Sequence, residues 1–143
     1  MKPMPHVRKL HKLLNRKRLI LLISLVPFCI IGIFVKLYMG RYSLVWPDKI
    51  AGTFYVIFWS FFIALIFPDK PRLKLVLVVF IITCLLEFTQ LYSFAVLDAI
   101  RSTFVGRAMI GTSFSWSDFP WYLIGALLAY SMLQLLNRAY PGE

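Results

Sequence analysis

Four long apolar runs, at 19–39, 50–67, 73–97 and 119–136, constrain this chain more than any other feature. Crossing a hydrocarbon core about 30 Å thick takes roughly 17–25 helical residues. The second and fourth runs carry no charge. The third is broken only by Lys74 and Glu87, and the first has Lys36 close enough to its end to snorkel. The runs do not alternate polar with apolar residues, and so short a chain cannot close a large barrel, so helices are expected. Hydrophobic residues make up 60% of the 143, against about 45–50% in ordinary globular domains. A chain this short cannot hide that much apolar surface in its own core. A water-soluble enzyme and a disordered tail are both excluded. The expected fold class is all-α: a polytopic membrane protein of four transmembrane helices, with a short interfacial or re-entrant segment between helices 3 and 4. Residues 1–18 form a basic cytoplasmic N-terminal segment, 19–136 the four-helix transmembrane domain, and 137–143 a short cytoplasmic tail.

Basic residues give the orientation. Lys2, Arg8, Lys9, Lys12, Arg16, Lys17 and Arg18 precede the first run; Lys70, Arg72 and Lys74 lie between the second and third; Arg138 lies in the tail. The other side has Arg41, Lys49, Arg101 and Arg107, with Lys36 at its border. Both termini are therefore expected in the cytoplasm, with the 40–49 and 98–118 loops outside. The first run exceeds the 7–15 residues of a typical signal-peptide core, and no small-x-small site follows it, so an uncleaved helix is expected. The basic N-terminus suits topology and anionic lipid headgroups; docking onto an acidic partner is the alternative. No aromatic residues interleave the basic ones, which argues against nucleic acid. Cys29 and Cys84 sit within apolar runs with no disulfide framework. His6 and His11 have no metal spacing.

Polar residues inside the runs point to a site. Glu87 shares a helix face with Thr83 and Gln90. An acid at such depth is costly unless partnered, and so marks either a functional site or interhelical glue. Asp48 and Lys49 open the second run, and Asp118 opens the fourth, with Tyr122 one turn on. Ser117, Asp118 and Pro120 also read as a plain helix start. Tyr55 and Trp59 share a side of the second run with Gly52. These groups converge on the outer leaflet. The loop 98–118 is too long to be structureless. Leu97, Ile100 and Phe104 make one apolar stripe of a short interfacial helix, with turns expected at Gly106 and Gly111 and interfacial aromatics at Phe114 and Trp116. Such a segment either lies flat or folds back as a lid, bringing Arg101 or Arg107 to Glu87. Gly125 and Ala129 form a small-xxx-small pair for close helix approach.

Glu87-Phe-Thr-Gln90-Leu91-Tyr92, followed by Arg101, Gly106, Ile110-Gly111, Phe114, Trp116-Ser-Asp118, Tyr122 and Gly125, resembles the bacterial family DUF2809 over about 40 residues. More loosely, the chain is similar to VanZ-like proteins, which carry an Asp-Lys opening a span, an E-x-x-Q on a later span, an Arg, and an Asp before a last Gly-containing helix. In those proteins a His often follows the Asp-Lys; Gly52 and Thr53 stand in that region here. The resemblance implies a four-helix envelope protein with an outward-facing polar site, and it supplies no reaction.

The expected function is binding. An outward pocket of Glu87, Gln90, Arg101, Arg107, Asp118, Tyr122 and Asp48 engages a lipid or a lipid-linked headgroup. Glu87 and Gln90 orient the ligand, and an arginine pairs with its phosphate. The alternative is an accessory or assembly subunit of a larger membrane complex, in which the polar cluster only locks the bundle. An intramembrane enzyme is the weakest reading: there is no HExxH, nucleophile elbow, P-loop or Cys-pair metal site. No cofactor is expected. The expected partners are membrane lipids, with a larger membrane protein complex as the alternative, and the expected location is the bacterial cytoplasmic membrane.

Overall fold

The computed structural model describes residues 5–35, 45–92, 94–111 and 113–140, which form six helices and no strand. Helix α1 spans Pro5–Phe34, α2 Val45–Ile66, α3 Arg72–Thr89, α4 Ala95–Ser102, α5 Phe104–Ile110 and α6 Asp118–Ala139. The expected all-α class holds. Two of these helices, over Lys49–Ile66 and Asp118–Ala139, are long and apolar enough to cross a membrane. The apolar part of α1 is shorter, Arg18–Phe34. Helix α1 itself starts at Pro5, so the basic segment and the first apolar run are one continuous helix. Pro27 lies inside it, at the cost of one backbone donor.

The third run departs from the expected bounds. Its helix ends at Thr89 rather than at residue 97. Gln90 and Leu91 turn, and Phe94 is extended at φ −119° and ψ 139°. At 18 residues α3 is about 27 Å long, and it carries Arg72 and Lys74 at one end and Glu87 near the other. Only the last three residues of the run, Ala95 to Leu97, belong to α4. Between α3 and α6 stand two short helices, not one. Gly106 is not a turn residue but lies within α5, where a Cβ would sit 1.8 Å from the Ile100 carbonyl oxygen. Only glycine lets α5 come that close to α4.

Helix α2 is central. It packs against α1, α6 and α3, and α6 also packs against α3. The core is apolar: Leu21 from α1, Val56, Ile57 and Phe61 from α2, Val76 and Val79 from α3, Ala129 and Leu133 from α6. Helices α2 and α6 cross closely at Gly125, where a Cβ would lie 2.7 Å from the Thr53 carbonyl oxygen. The outward faces are as apolar as the core. Leu22, Ile23, Val26 and Ile30 on α1, Leu77, Ile81 and Leu85 on α3, and Leu127, Leu128 and Leu135 on α6 are all exposed. By contrast, the described residues of α2 expose large aliphatic side chains only at its ends, Ile50 and Ile66.

Contacts fix how the helix ends are arranged. Gly52 meets Tyr122, Lys49 meets Asp118, and Glu87 meets Tyr122. The starts of α2 and α6 therefore share one end of the bundle with the finish of α3. Lys70, Arg72, Lys74 and Arg138 belong to the opposite end. Polar and basic groups are thus sorted between two ends, with apolar faces between.

Candidate functional site

Glu87 lies in the last turn of α3 and is only 2% exposed. Its carboxylate accepts three hydrogen bonds from three parts of the chain. Tyr122 Oη donates to Oε2 at 2.7 Å, and Gln90 Nε2 donates to the same oxygen at 2.8 Å. The Ser115 backbone N–H donates to Oε1 at 3.0 Å. Helix α3, helix α6 and the segment before α6 are thereby tied to one side chain. Hydrogen bonds within a protein contribute about 0.5–1.5 kcal/mol each, and a buried donor left without its acceptor costs about 1–3 kcal/mol. Thr83, on the same face of α3, is buried too, but its hydroxyl donates to the Val79 carbonyl at 2.8 Å, within its own helix.

Two of the three partners are held from behind. The Tyr122 ring lies on Gly52, where a Cβ would be 2.7 Å from Tyr122 Cε1. The Gln90 amide lies on Gly111, where a Cβ would be 2.5 Å from Gln90 Nε2. Gly111 has φ +79°, a conformation that other residues adopt only with strain. Thr53 Oγ1 donates to the Trp121 carbonyl at 3.1 Å and so fastens α2 to the first turn of α6.

The end of a helix carries roughly half a negative charge on its free carbonyls, an unfavourable place for an acid. Helix α3 has no basic residue in its last turn to offset this. Arg101 supplies the charge from α4. Its Nη2 donates to the Thr89 carbonyl at 2.9 Å, and its Nη1 to the Tyr92 carbonyl at 3.2 Å. Asp98 lies 3.6 Å from Nη1 and steadies the guanidinium. Arg101 therefore does not reach over Glu87, as a lid arginine would. It caps the helix on which Glu87 stands.

A more open rim adjoins this buried cluster. Lys49 Nζ donates to Ser117 Oγ and lies 3.2 Å from Asp118 Oδ1. The Ser115 and Ser117 hydroxyls are 2.8 Å apart and exposed. Phe88, Phe114, Trp116 and Phe119 pack edge-on or tilted beside them, with Phe114 and Trp116 centroids 5.0 Å apart. Trp116 is 70% exposed.

Residues 43–126, more than half of the chain, match the family model described as a protein of unknown function, DUF2809. The chain belongs to the DUF2809 family. Neither a curated protein nor a solved structure matches it. The DUF2809 match covers every contact of the Glu87 cluster and of the rim, and leaves the whole of α1 outside.

Among the residues singled out in this DUF2809 sequence, Glu87, Gln90 and Tyr122 meet at one point, and Asp118 lies one helical turn before Tyr122. Arg101 sits at the α3 terminus instead, and Arg107 is an exposed residue of α5. Asp48 belongs to the first turn of α2, and its side chain lies outside the described residues. Lys49, Ser115, Ser117, Gly52 and Gly111 join the site without having been placed in it. Lys49 had a signal, as the cation opening the second apolar run. The serines had none, since isolated serines in a loop carry no chemical pattern. Among the described residues, no cluster of three His, Cys, Asp or Glu residues is able to hold a metal ion.

Proposed function

We propose that this DUF2809 protein crosses the bacterial cytoplasmic membrane four times, with α1, α2, α3 and α6 as its spans and both termini in the cytoplasm. Its outward end binds the headgroup of a lipid or a lipid-linked envelope precursor. One observation carries the binding part: a part-buried Lys49–Asp118 ion pair and the more exposed Ser115–Ser117 hydroxyl pair lie at the same bundle end as Glu87, beside an aromatic skirt of the kind found at membrane interfaces. A cation with hydroxyl donors suits a phosphate, and the adjoining carboxylate suits an ammonium or sugar hydroxyl. In this reading Glu87, Gln90, Tyr122 and Arg101 build the floor, and the rim makes the contact.

A second reading is favoured by the three internal donors on Glu87. With its acceptors already engaged, the cluster locks the bundle, and the protein serves as an accessory or assembly subunit through its apolar faces. Native mass spectrometry in mild detergent separates the two. Loss of co-purified lipid in Lys49→Gln and Asp118→Asn, with thermal stability retained, supports headgroup binding. Unchanged lipid, with a stoichiometric protein partner released by Trp116→Ala, supports the subunit.

A further inference from the structure

Helix α4 reads Ala95-Val-Leu-Asp-Ala-Ile-Arg-Ser102, with its polar and apolar residues on separate sides. On the surface of a water-soluble protein the polar side of such a helix faces out. Here Arg101 is turned inward, its guanidinium on the Thr89 and Tyr92 carbonyls, while Asp98 beside it stays half exposed. The apolar side faces away from the bundle: Val96 is 72% exposed, and Ile100 is also open. Helix α5 continues the pattern, with Phe104, Val105 and Met109 exposed and Val105 at 62%.

The hairpin is firmly held in this orientation. Gly106 seats α5 against the Ile100 carbonyl, the Thr103 hydroxyl accepts from the Gly106 N–H at 3.0 Å, and Tyr55 Oη of α2 donates to the Met109 carbonyl at 3.0 Å. Its exposed side continues the apolar side of α3. Exposed Leu85 and Leu91 lead through Tyr92 and Phe94, whose rings stack at 5.9 Å, directly to Val96.

From this continuity, and from the inward turn of Arg101, we infer that the apolar side of the α4–α5 hairpin, with Val96, Ile100, Val105 and Met109, lies against the acyl chains of the outer leaflet. It rests on the four-span reading above and narrows the ligand class: the chains of a lipid held at the Lys49 rim have an apolar bed on this hairpin. A water-soluble headgroup analogue lacks those chains and gains nothing from it.

The test is nitroxide spin labelling of a variant free of native cysteines (Cys29→Ser, Cys84→Ser), reconstituted in phosphatidylethanolamine–phosphatidylglycerol vesicles. Labels go on Val96→Cys and Val105→Cys, with Leu127→Cys as the lipid-facing reference and Lys70→Cys as the water-facing one. Power saturation then compares oxygen, which concentrates in lipid, with a water-soluble nickel chelate. The expected oxygen-to-nickel ratios at 96 and 105 lie within about twofold of that at 127 and several-fold above that at 70. Nickel accessibility at 96 and 105, with 127 still lipid-like, overturns the hairpin inference alone. Exclusion of both reagents at 96 and 105 also overturns it, because a second protein surface such as another copy would then cover this side. A nickel-accessible 127 overturns the spanning reading and the inference with it.

Discussion

Gly52 and Tyr122 are in contact across the α2–α6 crossing, with the tyrosine ring lying where a side chain at 52 would begin. Gly52 is therefore a condition for the Tyr122–Glu87 hydrogen bond. A methyl at 52 forces the ring aside, because overpacking a tight contact costs about 1–3 kcal/mol. Gly52→Ala is expected to lower the melting temperature in detergent. In a Tyr122→Phe background, where the hydrogen bond is already gone and the ring is free to tilt, the same substitution is expected to cost less. Equal losses in both backgrounds would separate Gly52 from the hydrogen bond.

Glu87 itself distinguishes loss of charge from loss of acceptor. Glu87→Gln keeps one oxygen for the Ser115 N–H, while the Tyr122 hydroxyl is able to turn and accept. Glu87→Leu strands the Tyr122, Gln90 and Ser115 donors together, at about 1–3 kcal/mol for each buried donor left unpaired. The glutamine variant is expected to purify as a monodisperse species with a modest loss of thermal stability, and the leucine variant to aggregate or unfold at much lower temperature. Similar melting curves for the two would mean that Glu87 is not the tie between α3 and α6.

Much of the helix plan was legible because apolar runs and charges are one-dimensional signals. The starts of α6 at Asp118 and of α2 near Asp48, and the meeting of Glu87, Gln90 and Tyr122, follow from hydropathy, helix periodicity and the sorting of polar groups. The end of α3 did not follow, because Leu91, Phe94, Val96 and Leu97 are as apolar as any span residue. What ends the helix is a set of contacts: Arg101 on the Thr89 and Tyr92 carbonyls, and Gly111 against Gln90. The contacts of Arg101 were hidden for the same reason. An arginine in the loop beside a buried acid suggests a pairing with Glu87, but besides Asp98 this one answers to backbone carbonyls, which no sequence pattern displays.

Gly111 tests the backbone directly. Its φ of +79° disfavours any Cβ, and the Gln90 amide fills the space that a Cβ would need. With ψ at 176° this is a region that essentially only glycine visits, and Gly111→Ala is expected to cost about 1–3 kcal/mol from conformation alone, with further loss as Gln90 is pushed from Glu87. If Gln90→Ala is introduced first, the space is cleared, and only the conformational part should remain. A melting-temperature series of the parent, both single variants and the double variant measures the difference.

Arg101 offers a prediction that separates helix capping from phosphate binding. As a cap, the guanidinium reaches two carbonyls at once, Thr89 and Tyr92, and supplies the positive charge that the last turn of α3 lacks. Lysine keeps the charge but lacks the planar fork, so Arg101→Lys is expected to retain part of the stabilisation and Arg101→Ala to lose it. A charge near the end of a helix contributes about 0.3–1 kcal/mol, and up to about 2 kcal/mol where partly buried. Hydrogen exchange locates the loss: with alanine, amides of the last turn of α3 and of α4 should exchange faster, while those of α1 should not change. Bound lipid in native mass spectra should survive in proportion to the folded fraction, since the arginine faces carbonyls and not the rim. Selective loss of lipid from Arg101→Ala with unaltered exchange in α3 would return Arg101 to the role of a phosphate ligand.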